Sequence, residues 1–165
     1  KTLQVIAHSA RKNPKLIHFG MYSDKIYFKK YLILFHLLKE HGFVCYFSSA
    51  EPVFSPDLPV STFQDHGEYL KQVAGSVATV ILNKTNEGWN RVAHESVLLG
   101  TPVIASAGGG LEELVRLSGG TISDSPEEIV GLINAGLPQT CIDNSPFEPA
   151  ARSQYLEKIV SFIQQ

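Results

Sequence analysis

Only two cysteines, Cys45 and Cys141, occur in 165 residues, and no CxxC pair or His-rich spacing accompanies them. Neither a disulfide framework nor a zinc site is indicated, and a reducing, cytoplasmic setting fits better. No run of five like charges appears and the formal net charge is −2, which argues against a nucleic-acid groove or a polybasic membrane patch. Nor does any stretch approach the roughly 18 consecutive apolar residues of a membrane span, and the opening KTLQVIAHSARKNPK is too polar for a signal peptide. The chain starts at Lys1 rather than Met, which we read as a piece of a longer polypeptide in preference to a processed product. Internal repeats and low-complexity tracts are also missing.

What is present is a 44% hydrophobic chain, enough for one core and too short for a second ordinary domain. Short runs rich in Val, Ile and Phe alternate with stretches of helical period, separated by Gly, Pro, Ser or Asp. The runs at 16–20, 43–49, 60–63, 79–83, 102–106 and 121–123 predict strands. Most are apolar throughout, as in a sheet covered on both faces. Helices are expected over 25–41, 66–76, 89–99, 111–117 and 126–135, with a terminal helix carrying Leu156, Ile159, Val160 and Ile163 on one face. Another helix within the first twelve residues would use Leu3, Ile6 and Ala10. The expectation is an α/β, Rossmann-like, three-layer α/β/α domain with a parallel sheet of about six strands.

Chemistry concentrates in NEGWNRVAHESVLLGTPVIASAGGGLEEL, 86–114, where Glu87 and Glu95 flank an expected helix start. That start should lie at the carboxyl edge of the sheet, where the amides of Trp89, Asn90, Arg91 and Val92 suit phosphate. A carboxylate beside a phosphate site cannot bind the phosphate itself, so it must accept hydrogen bonds from neutral donors such as sugar hydroxyls. A sugar nucleotide fits both demands. A divalent metal between the two acids is the competing ligand, though further Asp or Glu to complete an oxygen cage are missing nearby. The plain alternative is an Arg91–Glu95 surface pair at i and i+4, with Glu87 favouring the helix dipole. Gly108, Gly109 and Gly110 then permit positive φ and close approach of backbone to a ligand, or merely a tight turn. Trp89, the one tryptophan, either walls the pocket or anchors the core, and the core is favoured. The six histidines show neither ligand spacing nor a triad, and most are read as structural.

These motifs resemble the nucleotide-sugar-binding C-terminal half of GT-B glycosyltransferases, in particular the large retaining, family 4-like class. EGWNRVAHE matches its two acids separated by seven residues, LGTPVIAS its next strand, and GGGLEEL with Glu113 its glycine turn. The resemblance extends from Lys15 to the end and runs without a gap from 78 to 115. It implies that Glu87 contacts the transferred sugar and Glu95 the ribose, while amides near Gly88, Asn90, Arg91 and Val92 hold the diphosphate. Gln64 and Asp65 would border the base, and Gly108 and Gly109 would border the donor. No cofactor or metal is implied. The implied partners are a nucleotide sugar such as a UDP- or GDP-sugar, and a separate N-terminal GT-B half holding the acceptor, as in polysaccharide or glycolipid synthesis. That leaves room for peripheral association of the full-length protein with the cytoplasmic face of a membrane.

The sequence departs from the pattern after the first strand. Met21 stands where the class has an Arg, and Lys25 fits the catalytic lysine only with a one-residue gap. Loss of a cation matters because stabilising the leaving diphosphate is a large catalytic term; Arg91 is the nearest substitute. Asn90 stands where a glycine is common, and Asn tolerates left-handed backbone. The rival readings are a non-catalytic binding relic, a GT-B sugar-nucleotide epimerase and a dinucleotide oxidoreductase. The last needs GxGxxG after the first strand, whereas HFGMYSDK has only Gly20.

Overall fold

In the computed structural model, residues 5–7, 10, 12–20, 28–49, 57–83 and 88–138 are described. The apolar runs form β1 (Leu16–Phe19), β2 (Val44–Ser49), β3 (Val60–Thr62), β4 (Ala78–Ile81), β5 (Val103–Ala105) and β6 (Thr121–Ile122). The helices are α1 (Phe28–Glu40), α2 (His66–Gly75), α3 (Arg91–Leu98), α4 (Gly109–Leu117) and α5 (Pro126–Ala135). All strand pairings are parallel, in the order β3-β2-β1-β4-β5-β6.

Alternation along each strand divides its side chains between two faces. Ile17, Phe19, Phe47, Val80, Leu82 and Ile104 join Leu34 and Leu38 of α1 and Ile129 and Ile133 of α5 in one core. Ile81, Val103 and Ala105 point the other way, onto Ala93 and Val97 of α3 and Leu111 and Leu114 of α4. Leu70 and Val73 of α2 extend that second layer with Leu99 and Ile6. The three-layer expectation therefore holds. An aromatic trio reinforces the first core: Tyr31 lies 5.4 Å from Phe19 and 5.0 Å from Phe47 between ring centroids. The Tyr31 hydroxyl also accepts the Leu82 N–H at 2.6 Å, satisfying a buried amide just beyond the end of β4.

Local signals set the element ends. Past α1, Gly42 takes φ +79° while its N–H reaches Lys39 O and that of Phe43 reaches Leu38 O, closing the helix. Ser125 caps α5 by accepting the Glu128 N–H, with Pro126 in the first turn. At the sheet's amino edge, Lys12 Nζ donates to Ser76 O and Thr101 Oγ1, both at 3.0 Å, tying the chain before β1 to the entries of β4 and β5. Burial lowers the Lys12 pKa to about 8.

Residues 5–7 are helical, and Ile6 and Ala10 belong to or pack on the second layer as their spacing suggests. Leu3, the expected terminal helix and Cys141 lie outside the described residues. Cys45 is a buried free thiol with its pKa raised by burial to about 12. No helix among the described residues is long and apolar enough to cross a membrane.

Candidate functional site

The sheet order places a switch point between β1 and β4: β1 leads to α1 on one face, and β4 leads to α3 on the other. In open α/β sheets the carboxyl ends at such a point leave a crevice for ligands. A cleft of ≈ 350 Å³ opens near it, within the range of small-molecule pockets. Ser48, Ser49, Phe63 and Gln64 form its β2–β3 side, His66 and Tyr69 come from α2, and Arg91 and Val92 from the start of α3. Gly20, directly after β1, lines it as well. A Cβ there would stand 2.8 Å from Ile81 Cγ1 and 3.0 Å from Val92 Cγ1, so glycine is what allows α3 to begin this close to β1.

Helix α3 starts two residues later than the expected Trp89. Asn90 is its N-cap, with φ −74° and ψ 118°, and its Oδ1 accepts the Ala93 N–H at 2.9 Å. The left-handed geometry expected of Asn90 is not used, because capping calls for extended backbone. The amides of Arg91 and Val92 head the helix and have no intrahelical acceptor. They form the positive end foreseen from the sequence, narrowed from four residues to two.

Glu95 sits one turn further on, next to the cleft walls His66, Tyr69 and Arg91 but not itself one of them, its side chain 14% exposed in the seam between α2 and α3. Its Oε1 lies 3.3 Å from His66 Nε2 and 3.9 Å from Arg91 Nε. Arg91 is 84% exposed, so the i,i+4 pair of the plain reading is long and solvated, and the nearer partner comes from another helix. The Tyr69 hydroxyl lies beside the Glu95 carboxylate, and neither it nor Glu95 Oε2, both buried, makes a well-formed hydrogen bond among the described residues. Burial first, and the Glu95 charge second, raise the Tyr69 pKa.

The glycine turn meets the first turn as expected, but for a packing reason. A Cβ on Gly110 would lie 3.0 Å from the Gly88 carbonyl carbon and 3.1 Å from Trp89 N. Gly108 and Gly109 have φ +128° and +65°, and the Gly108 N–H is taken by Glu112 Oε2 at 2.8 Å. Glu112 also pairs with Arg116, and that ion pair, then the Gly108 amide, lower its pKa. Glu113, the acid matched to this turn, is exposed. Gly108 and Gly109 are not among the cleft walls.

Of the remaining candidates, Gln64 lines the cleft, whereas Asp65 caps α2 by accepting the Glu68 N–H at 2.9 Å. Gly88 and Trp89 occupy the exposed turn before α3. Trp89 is no core anchor: it is 40% exposed, and its ring meets His94 edge-on at 5.6 Å. Burial lowers the His94 pKa, partly offset by Glu95. Glu87, Lys25 and Met21 lie outside the described residues. No group of three His, Cys, Asp or Glu able to hold a metal occurs among the described residues.

Sequence reasoning passed over Tyr69 and Ser48, and weighed His18 and His66 only among six histidines most of which it read as structural. The signal for His18 was present, since a lone imidazole inside the apolar run LIHF must find partners once buried. Its Nε2 lies 2.9 Å from Ser48 Oγ and its Nδ1 3.2 Å from Thr79 Oγ1. Tyr46 stacks on the ring at 4.9 Å, and burial lowers the His18 pKa to about 3. His66 offered no such signal, because only the docking of α2 beside α3 brings it to Glu95.

No protein-family model and no curated protein matches the chain. Solved structures share its fold. AviGT4, a glycosyltransferase involved in avilamycin A biosynthesis, superposes with TM-score 0.59 at 19% identity, over 81% of this chain and 45% of that one. The UDP-GlcNAc 2-epimerase of Methanocaldococcus jannaschii, in complex with UDP-GlcNAc and UDP, gives 0.60 at 12% identity, over 98% and 49%. The GtfA/B complex gives 0.52 at 11%, over 95% and 30%. The chain thus spans half or less of each neighbour and has the fold of one GT-B half.

Proposed function

We propose that this half-domain binds a nucleoside-diphosphate sugar in the cleft at the head of α3 and supplies the donor side of a glycosyltransferase. The observation that carries the reading is Glu95: a nearly buried carboxylate beside the Tyr69 hydroxyl, with one oxygen making no well-formed hydrogen bond among the described residues, one helical turn from the amides of Arg91 and Val92. The amides suit a diphosphate, and the carboxylate suits the vicinal hydroxyls of the attached ribose. Gln64, a wall of the cleft, is assigned the base by resemblance.

Glu87 and Lys25 are assigned, by resemblance, to the transferred sugar and the leaving diphosphate. Transfer itself needs an acceptor, which a second GT-B half would hold across the cleft. Binding is proposed to be independent of metal.

Calorimetric titration with UDP, GDP, ADP and NAD, each with and without magnesium, tests the reading. Binding of one nucleoside diphosphate in the absence of metal supports it and names the base; binding of NAD alone overturns it. The same half-fold occurs in a UDP-GlcNAc 2-epimerase, so product analysis with the full-length protein separates transfer to an acceptor from epimerisation of the donor.

A further inference from the structure

A line of hydrogen bonds runs beneath the cleft from Ser48 through His18, Thr79 and Ser96 to Val92. Its members come from β2, β1, β4 and α3, and the inner ones are fully buried. The direction of every proton in the line can be worked out from its inner end. Ser96 Oγ donates to Val92 O at 2.8 Å, so the Ser96 proton is spent. At the 2.9 Å contact between Thr79 Oγ1 and Ser96 Oγ, Thr79 must therefore be the donor. With the Thr79 proton spent in turn, the 3.2 Å contact to His18 Nδ1 requires that Nδ1 carry the hydrogen. A neutral imidazole protonated on Nδ1 has only a lone pair on Nε2. Ser48 Oγ, 2.9 Å away, must donate to it.

We infer that Ser48 faces the cleft as a hydrogen-bond acceptor only, and so selects a ligand that presents a hydrogen-bond donor, N–H or O–H, at the β2–β3 side of the site. The hydroxyl would otherwise be indifferent, since a free serine both donates and accepts. The polarity of Ser48 follows from the hydrogen bonds alone, while the identity of the ligand rests on the nucleotide reading. On that side Ser48 stands with Phe63 and Gln64, an aromatic face with neutral polar groups. Such a wall matches a planar nucleobase better than a phosphate, whose oxygens only accept. His18 is thus a positioning residue and Ser48 a specificity residue.

Two measurements separate the parts of the inference. Long-range proton–nitrogen NMR on histidine-labelled chain should show His18 with a pyrrole-like Nδ1 and a pyridine-like Nε2; the opposite tautomer overturns the polarity of Ser48. Thr79→Val should release that tautomer and mix the two forms, a change that a merely structural histidine would not show. Titration of UDP, GDP and ADP into the native chain and Ser48→Ala should show the bound nucleotide losing about fivefold in affinity. The loss should vanish for the analogue methylated on the N–H edge of the same base. An unchanged affinity in Ser48→Ala overturns selection by Ser48. If none of the three nucleotides binds while the Nδ1–H tautomer is present, the nucleotide reading falls and the polarity of Ser48 stands.

Discussion

At the amino edge of the sheet, Lys12 bridges Ser76 O and Thr101 Oγ1, and Thr101 in turn donates to Val73 O. Across the sheet at the carboxyl edge, Glu95 Oε2, the Tyr69 hydroxyl beside that carboxylate and Asn83 Nδ2 are buried without a well-formed hydrogen bond among the described residues. Both edges bury polar groups, but one closes its hydrogen bonds internally and the other leaves some open. An unsatisfied buried polar group costs about 1–3 kcal/mol. An edge that retains several is therefore spending stability where a ligand can repay it, whereas the closed edge only holds strands together.

Acid should break the comparison most strongly. His18 is held neutral with a pKa of about 3, against an ordinary value of 6.5. Between those values the unfolded chain binds a proton that the folded one refuses, so stability should fall as pH drops below 6.5. The slope from this group is about 1.4 kcal/mol per pH unit. Denaturant unfolding across that range measures it, and the His18 ring resonances should stay those of a neutral imidazole while the chain is folded.

At the open edge, Glu95→Ala should weaken nucleoside-diphosphate binding by about 1.5–3 kcal/mol while leaving the melting temperature nearly unchanged. Equal loss of stability with unchanged affinity would return Glu95 to a structural helix pair. The closed edge should behave in the opposite way. Thr101→Val removes the acceptor of Lys12 and the donor to Val73 O, and should cost about 1–2 kcal/mol in unfolding free energy with nucleotide affinity intact. Smallest of all should be Arg91→Ala, read by thermal unfolding, because an exposed pair at 3.9 Å contributes under about 0.5 kcal/mol. If the same substitution markedly weakens nucleotide binding, Arg91 supplies the cation that the resemblance leads one to expect at position 21.

Parts of the fold could be read along the chain because their causes are local. The end of α1 at Gly42 and the start of α5 at Pro126 each depend on a few neighbouring residues. Glu95 was singled out by its spacing from Glu87, but its near-burial was not, since that depends on α2 lying alongside. Trp89 shows the reverse failure. Aromatic size argued for the core, yet its turn packs on Gly110 by backbone alone and leaves the ring half outside.

A parallel sheet of about six strands, covered on both faces, followed from apolar runs and helical periods, because burial on both sides demands that pattern wherever the strands lie. Their order, β3-β2-β1-β4-β5-β6, was decided only by the folded chain. Proton direction at Ser48, the partner of Glu95 and the closure of the amino edge arose only in the folded chain. Each depends on groups far apart in sequence meeting within about 3 Å, and a hydrogen bond has no period by which the chain could announce it beforehand.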